Sequence, residues 1–517
     1  MPGTQNLAIY DAFHTVGQDL RHFLIRNEQS ATFMAGGFAR VTGEVGVAIT
    51  VPGPGASNAA TGLVDAQTDC QPVLLITGGV ERPIQYRDRS KMFHGLDQAS
   101  FFKPIVRYYG CPQTAAQVPQ TVRAAFAAIW ASRPGPAVIE IPPDVAAEQT
   151  NAPCIPHRIV PRVDKLPNPG AVQDAAKLLR QAKRPVILAG GDVIHCNATH
   201  SLDRFAKKLG APVIETRLGK GSLAGDHPLS VGNSRHKRAR AVLEAADTLI
   251  AVGTRLTQID TANWHIRIPP CFLQIDRDAA EIGREVPVTA GLAGDLTQSI
   301  DLLLQVLGTS HVPADWGGLI QQTQEKYRRP AVPVLSDIRR VLARDGILAA
   351  DITSLSYRAF DEYPVFGPRD FVYSCHYVAM GCGLPFALGA KIACPNRPVV
   401  ALCGDGGLLM SIGELATAAQ YNIAAVIVVV VDRSLVAIKA SQIKNYAGRL
   451  IDTDLPGPDF VRLAEAFGVA GFRAAELTQL LPLLDEALRS NRPTVIEVDM
   501  TGHESEIMQQ IPWLTGE

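Results

Sequence analysis

The chain reads as an α/β protein built of three domains, each a doubly wound parallel sheet with helices on both faces. Three observations carry that reading. Apolar runs of strand length alternate with Ala-rich helical stretches, the pattern of parallel sheets covered by helices. Two irregular stretches interrupt the alternation and divide it into three sets. At 517 residues, 47% of them hydrophobic, the chain exceeds the size at which a single core stops growing.

The elements follow in order. Residues 1–150 form the first domain, with strands expected at Val45–Thr50, Pro72–Thr77 and Pro136–Ile141. A Pro-rich, poorly periodic stretch from Thr150 to about Gly170 reads as a linker. The second domain, 170–308, contains "RPVILAGG", "APVIET", "TLIAVGTRL" and "CFLQIDRD", apolar runs that end in small or polar residues. Another irregular stretch runs from Gly308 to about Pro333. The third domain, 333–517, holds "DGILAADIT", "PVVALCGDG", "AAVIVVVVD" and "PTVIEVDM".

Composition narrows the function. Forty-nine basic and 50 acidic residues leave a net charge of −1, without a long run of either sign, which argues against nucleic acid or an anionic membrane as the main partner and favours small-molecule chemistry. Nine cysteines, odd in number and scattered through apolar runs, read as reduced thiols in a cytoplasmic compartment. No apolar run approaches the ~18 residues of a membrane span, and the first residues lack a charged-then-apolar signal pattern.

The stretch "VALCGDGGLLMSIGELATAAQYNIAAVIVVVVDRS" carries the chemistry. A strand ending at Cys403, a tight Gly404-Asp405-Gly406 turn, a helix over about Ser411–Gln420 and a strand ending at Val431 make one βαβ crossover, whose two strands finish on the same sheet edge. Asp405 and Asp432, 27 residues apart, should therefore face each other where open α/β sheets bind ligands. Two carboxylates and a nearby carbonyl suit a hard octahedral cation such as Mg²⁺, with phosphate completing its shell. Gly404, Gly406 and Gly407 let backbone N–H groups come close to that phosphate. On spacing alone, a turn Asp and a loop Asp without a metal remain equally open.

This motif resembles the cofactor site of thiamine diphosphate (ThDP) enzymes, and the chain is most similar to their acetolactate synthase-like branch along nearly its whole length. The resemblance implies a pyrimidine-binding, a central and a diphosphate-binding domain, with Mg²⁺ held by Asp405, Asp432 and the Ser434 carbonyl. Asp432 stands where the family usually has Asn, which keeps an oxygen ligand and adds a charge. "MGCGLPFALGAKIACPNRP" resembles the segment whose Met props the cofactor into its bent form, here Met380. "IRNEQSATFMAGGFARVTG" resembles the stretch whose Glu hydrogen-bonds the aminopyrimidine, here Glu28, with "TVPGPGASNAATGLVDA" following. A carboxyl at that ring nitrogen favours the imino tautomer that removes the thiazolium C2 proton. Asn27 as an N-cap and Glu28 as a first-turn residue favoured by the helix dipole are compatible with that role. In this family Glu and metal site come from different subunits, which implies a homodimer or a dimer of dimers.

Departures from true acetolactate synthases bear on the substrate. Their "FQE" is "FHG" at Phe93–Gly95, a Trp nine positions past the metal-loop residue is Ser441, and the FAD-contacting "RFDDR" is "RLTQI" at Arg255–Ile259. Branched-chain amino-acid synthesis and bound FAD are therefore not expected from the motifs, and whether the central domain holds FAD, ADP or nothing stays open. His94 falls where related 2-keto-acid decarboxylases place a proton-handling His, with Gln98 close by. His94 as a structural hydrogen-bonder is the other reading.

Three functions are compatible with the sequence. The favoured one is decarboxylation of a 2-keto acid, with release of the aldehyde or its joining to a second carbonyl. A lyase acting on an acyl-CoA thioester would want basic groups near the mouth, yet no Lys or Arg follows Arg492. A catalytically idle homologue would bind nucleotide in the central domain, where Gln274–Asp278 could hold a ribose. Retention of Glu28, Asp405 and Asp432 argues against idleness. Finally, "MPGTQNLAIYDAF" resembles a family loop that follows a first helix and strand, so the chain is expected to start one βα unit in, roughly 20–25 residues late.

Overall fold

The computed structural model describes residues 1–17, 20–131, 133–153, 166–309, 314–502, 508 and 511. Much of the expected first linker, Cys154 and most of the cation-free C-terminal stretch therefore lie outside the described residues. The strands form three sheets, and every pairing within them is parallel. From edge to edge the first runs Gly46–Thr50, Val73–Gly78, Ala137–Ile141 and Tyr108–Gly110. The second runs Ala290–Ala293, Cys271–Asp276, Thr248–Val252, Pro185–Ala189, Val213–Glu215 and Ser230–Asn233. The third runs Phe371–Val372, Ile347–Ala350, Val399–Gly404, Val426–Val431, Thr494–Asp499 and Ala470–Ala474.

Interior strands such as Val426–Val431 are buried throughout, because helices cover both faces and leave no polar side to alternate with. Their continuous apolar runs made them legible. Tyr108–Gly110, Ser230–Asn233, Ala290–Ala293, Phe371–Val372 and Ala470–Ala474 had no such signal. All five lie at sheet edges, where strands are short and apolar patterning fades. One element differs from expectation. The helix expected over Ser411–Gln420 is two helices, Asp405–Ser411 and Glu414–Gln420, and the first starts directly at Asp405 rather than after a separate turn.

The first and third sheets share one core. Helix Glu28–Thr42 of the first domain packs on helix Gly383–Ala393 of the third, and two glycines permit the approach. A Cβ at Gly37 would stand 2.5 Å from the Phe386 carbonyl oxygen, and one at Gly389 would stand 2.0 Å from that of Met34. Phe33 meets Phe386 edge to face at 5.4 Å, a geometry worth about 0.5–1.5 kcal/mol beyond burial. A buried polar network ties in the central domain. Arg40 bridges Asp65 and Asp69 at 2.8 and 2.9 Å, and His376 lies between Asp69 (2.8 Å) and Asp260 (3.3 Å).

Strand Gly46–Thr50 is an edge of the first sheet, with Val47 exposed. A largely apolar cavity of about 730 Å³ lies beside it, lined by Phe13, Leu20, Phe23, Val47 and Ile49 among others. Among the described residues no helix is long and apolar enough to cross a membrane.

Candidate active site

Parallel pairing sets the first relationship. Strands Val399–Gly404 and Val426–Val431 lie in register with Gly404 beside Val430, so Asp405 and Asp432 leave the sheet at the same edge. Asp405 is buried. Its Oδ1 accepts the Gly406 N–H at 2.7 Å and its Oδ2 the Arg433 N–H at 2.8 Å. Burial raises its pKa, and these backbone N–H groups work against that rise. Asp432 Oδ1 accepts the Ser434 N–H at 3.1 Å, across a tight turn made by Arg433 in the left-handed region (φ 52°). Ser434 is anchored in turn, its Oγ donating to the Thr453 carbonyl at 3.1 Å.

The Gly-Asp-Gly turn fits closely against its neighbours. A Cβ at Gly406 would stand 2.8 Å from Leu455 Cδ2 and 3.9 Å from Met380 Cε, and one at Gly407 would stand 2.8 Å from Asp351 Oδ2. Asp351 is a residue that sequence reasoning missed. It ends strand Ile347–Ala350, is fully buried, and accepts N–H groups of Ile352, Gly381 and Gly383 at 2.7, 3.0 and 3.3 Å. It therefore locks the Met380 segment to the turn. Burial pushes its pKa up to about 6 against those hydrogen bonds. The signal was present in "ILAAD", an apolar run stopped by Asp as at Asp405 and Asp432.

A second group lies on the first domain. Asn27 caps helix Glu28–Thr42, its side chain accepting the Gln29 N–H, so Glu28 is the first helical residue. Glu28 Oε2 accepts from Asn58 Nδ2 at 3.2 Å, and a Cβ at Gly55 would stand 3.3 Å from Oε1. Gly53, at φ 62°, passes so close to His94 that a Cβ would meet its Cα at 2.9 Å. The loop Gly53–Gly55 thus carries Glu28 on one side and His94 on the other. His94 is itself left-handed (φ 52°), its ring stacks on Phe93 at 4.0 Å, and its buried Nδ1 has no hydrogen-bond partner. Gln98 is placed differently. It is buried, donating to the Gly78 carbonyl at 2.9 Å and accepting from Thr77 Oγ1 at 3.1 Å, so it holds the end of a strand.

Glu414 joins the two domains and was also overlooked. Fully buried, it accepts the N–H groups of Arg26 and Asn27, both at 3.0 Å, and the Thr417 hydroxyl at 2.6 Å. Burial raises its pKa, opposed by these bonds. Its only local sign was a Glu inside an Ala-rich apolar helix. Within the chain, the sites therefore gather as two groups: Glu28, Gly55, Asn58 and His94 in one, and Asp351, Met380, Asp405, Asp432 and Ser434 in the other.

Comparison with known families decides what this arrangement belongs to. Residues 1–101 match the N-terminal TPP binding domain of thiamine pyrophosphate enzymes, 172–303 their central domain and 351–498 their C-terminal TPP binding domain. The chain belongs to the thiamine pyrophosphate enzymes. It is 33% identical to a probable acetolactate synthase large subunit of Methanocaldococcus jannaschii, across 96% of this chain and 88% of that one. It is 32% identical to the acetolactate synthase isozyme 3 large subunit of Escherichia coli K12, across 99% and 93%. It is 34% identical to the acetolactate synthase large subunit of Parasynechococcus marenigrum, across 96% and 84%. This is a ThDP-dependent enzyme of the acetolactate synthase-like kind.

The residues of this ThDP enzyme fit the cofactor. Two oxygen-donor side chains at one sheet edge, a turn whose glycine leaves no room for a Cβ, and Met380 beside it would suit a metal-bound diphosphate. Among the described residues no group of three or more His, Cys, Asp or Glu side chains is placed to hold a metal ion, so a cation at Asp405 and Asp432 would need carbonyl and phosphate oxygens to fill its shell.

The carboxyl edge of the central sheet is occupied by side chains of the protein itself. Arg133, reaching over from the first domain, fills the carboxyl edge of the central sheet and pairs with Asp192 at 2.7 Å, with Asp276, and with Glu281 at 3.5 Å. The space left is about 20 Å³, room for no more than a water molecule. Gln274 is also engaged, donating to the Glu281 carbonyl and accepting from the Gly283 N–H. At Gln274–Asp278, where an idle homologue could have held a ribose, the Gln274 side chain is thus engaged within the protein.

Proposed function

We propose that this enzyme uses ThDP and Mg²⁺ to cleave, and where an acceptor is present to form, the carbon–carbon bond next to the carbonyl of a 2-keto acid. The observation that carries this reading is the Asp405–Asp432 pair at one strand edge against Gly406 and Met380, with a separate acid, Glu28, buttressed by Asn58 and Gly55. Asp405, Asp432 and the Ser434 carbonyl hold the cation, Gly404, Gly406 and Gly407, lacking side chains, let the diphosphate approach the backbone, and Met380 supports the bend. ThDP supplies a nucleophilic carbon and an electron sink for the bond cleavage. Glu28 holds a proton at the aminopyrimidine nitrogen, with Asn58 fixing the carboxylate that does so. His94, whose Nδ1 has no other partner, moves a proton at the substrate. Gln98 acts indirectly, by holding the strand end at Thr77 and Gly78.

The two groups meet across a subunit boundary, which makes a cytoplasmic homodimer or dimer of dimers the working enzyme. Exposed apolar side chains beside each group support this: Phe93 next to His94, Met410 against Gly381, and Ile438, Ile443 and Ile451 after Asp432. With Arg133 in the crevice, FAD or ADP at that edge would have to displace its ion pairs with Asp192 and Asp276. The curated relatives named above are acetolactate synthases, which supports carboligation over simple aldehyde release.

A panel of 2-keto acids, assayed for CO₂ release with and without an added aldehyde or second keto acid, tests the reading. Glu28→Gln serves as the inactive control. Turnover of an acyl-CoA thioester with no CO₂ from any 2-keto acid would overturn it.

A further inference from the structure

A cavity of about 510 Å³ lies between the central and C-terminal domains, apart from both groups described above. Strand Ser230–Asn233 and the start of helix Lys237–Ala245 line one side. Helices Leu319–Lys326 and Pro333–Val341 and the end of helix Ser354–Glu362 line the others. Five cationic side chains face three carboxylates in its walls.

The carboxylates are paired within the protein, although Glu362 Oε1 has an ion pair and no hydrogen bond. Glu215 accepts the N–H groups of Gly221 and Leu223, both at 3.1 Å, while Asp361 and Glu362 lie 3.8 and 3.5 Å from Arg329 and Glu362 also pairs with Arg358. Two donors are not. Arg238 Nε is buried with no hydrogen-bond partner, and so is the hydroxyl of Tyr363, a residue only 3% exposed. Burial keeps that phenol protonated and hence a donor. Arg328, exposed, stands at the rim.

Burial first, and the nearby charges of Arg238, Arg329 and Arg358 second, disfavour added positive charge at His236 and hold its pKa down at about 3. Burial also brings Lys220 down to about 8, with Arg238 adding to the shift against Glu215 and Asp361. Buried donors without acceptors are costly, and an anion relieves both that cost and the repulsion. Val332, Leu335 and Val365 give the cavity an apolar side, so its ligand has a carbon body as well as charge.

We propose that this interdomain cavity binds a small organic dianion, a phosphomonoester or a dicarboxylate, through Arg238, Arg328 and the Tyr363 hydroxyl. The test uses holoenzyme saturated with ThDP and Mg²⁺, so that the diphosphate site cannot report. Inorganic phosphate, AMP and succinate are each titrated by calorimetry and by thermal melting. Saturable binding of at least one, with a raised Tm, is expected. Tyr363→Phe, which keeps the ring under Arg339, should weaken that binding about tenfold, and Arg238→Gln at least as much, with ThDP affinity unchanged in both. Response to phosphate and AMP assigns the phosphomonoester, and response to succinate alone assigns the dicarboxylate. Absence of saturable binding for all three probes, or equal binding to wild type and both variants, would overturn the proposal.

Discussion

Glu414, in the second helix after strand Val399–Gly404, accepts the backbone N–H of Asn27 at 3.0 Å, and Asn27 caps the helix that begins at Glu28. A buried carboxylate of the C-terminal domain thus sets where the acid of the N-terminal domain stands. Replacing it with Ala strands the Arg26 and Asn27 N–H groups, while the Thr417 hydroxyl keeps the Leu24 carbonyl as an acceptor. Leaving a buried partner unpaired costs about 1–3 kcal/mol, so Glu414→Ala should lose at least that much stability in urea unfolding and slow exchange of the cofactor C2 proton, followed by NMR. Glu414→Gln keeps one acceptor oxygen and should lose less. Wild-type stability and exchange in Glu414→Ala would show that the Glu28 loop is held by other contacts.

At the proposed cation site, Asp405→Ala removes a proposed ligand and the acceptor for two backbone N–H groups, and should abolish ThDP retention. Asp432→Asn keeps an oxygen donor and should largely preserve it. Removal of Mg²⁺ with a chelator should release ThDP from the wild type. Calorimetric ThDP affinity that is unchanged in Asp405→Ala would falsify the assignment.

His94 is expected to act in turnover, not in cofactor binding. His94→Ala should lower kcat by roughly 10²–10⁴-fold, the range typical of general acid–base groups, with ThDP affinity unchanged. A normal kcat in that variant reduces His94 to a stacking partner of Phe93.

Stability should depend on pH through His376. Burial opposes its protonation, but hydrogen bonds to Asp260 and Asp69 and their charges outweigh it and raise its pKa to about 9. The unfolded chain gives up that proton near 6.5. Its stabilisation is therefore complete below about pH 6.5 and is lost as pH rises through about 9, a change of about 3 kcal/mol. Lys220, held near 8, acts in the opposite sense above that pH. The measurement is thus the difference in unfolding free energy between wild type and His376→Gln, which should shrink from pH 6 to pH 10. A difference independent of pH would mean that His376 is neutral between the two aspartates.

The fold class, the interior strands, the strand-end positions of Asp405 and Asp432, and the Asn27 cap before Glu28 were determined by the sequence alone. Each depends on neighbours in the chain: a buried parallel strand is a continuous apolar run, a cap is one residue before its helix, and a βαβ crossover brings two consecutive strand ends to one edge. The edge strands, Glu414, Asp351, Arg133 and the interdomain cavity were decided only by the tertiary structure. Glu414 meets a backbone 388 residues away and Arg133 an aspartate 143 residues away. What such side chains do is set by which partner burial leaves them, and no local pattern records a partner from another domain.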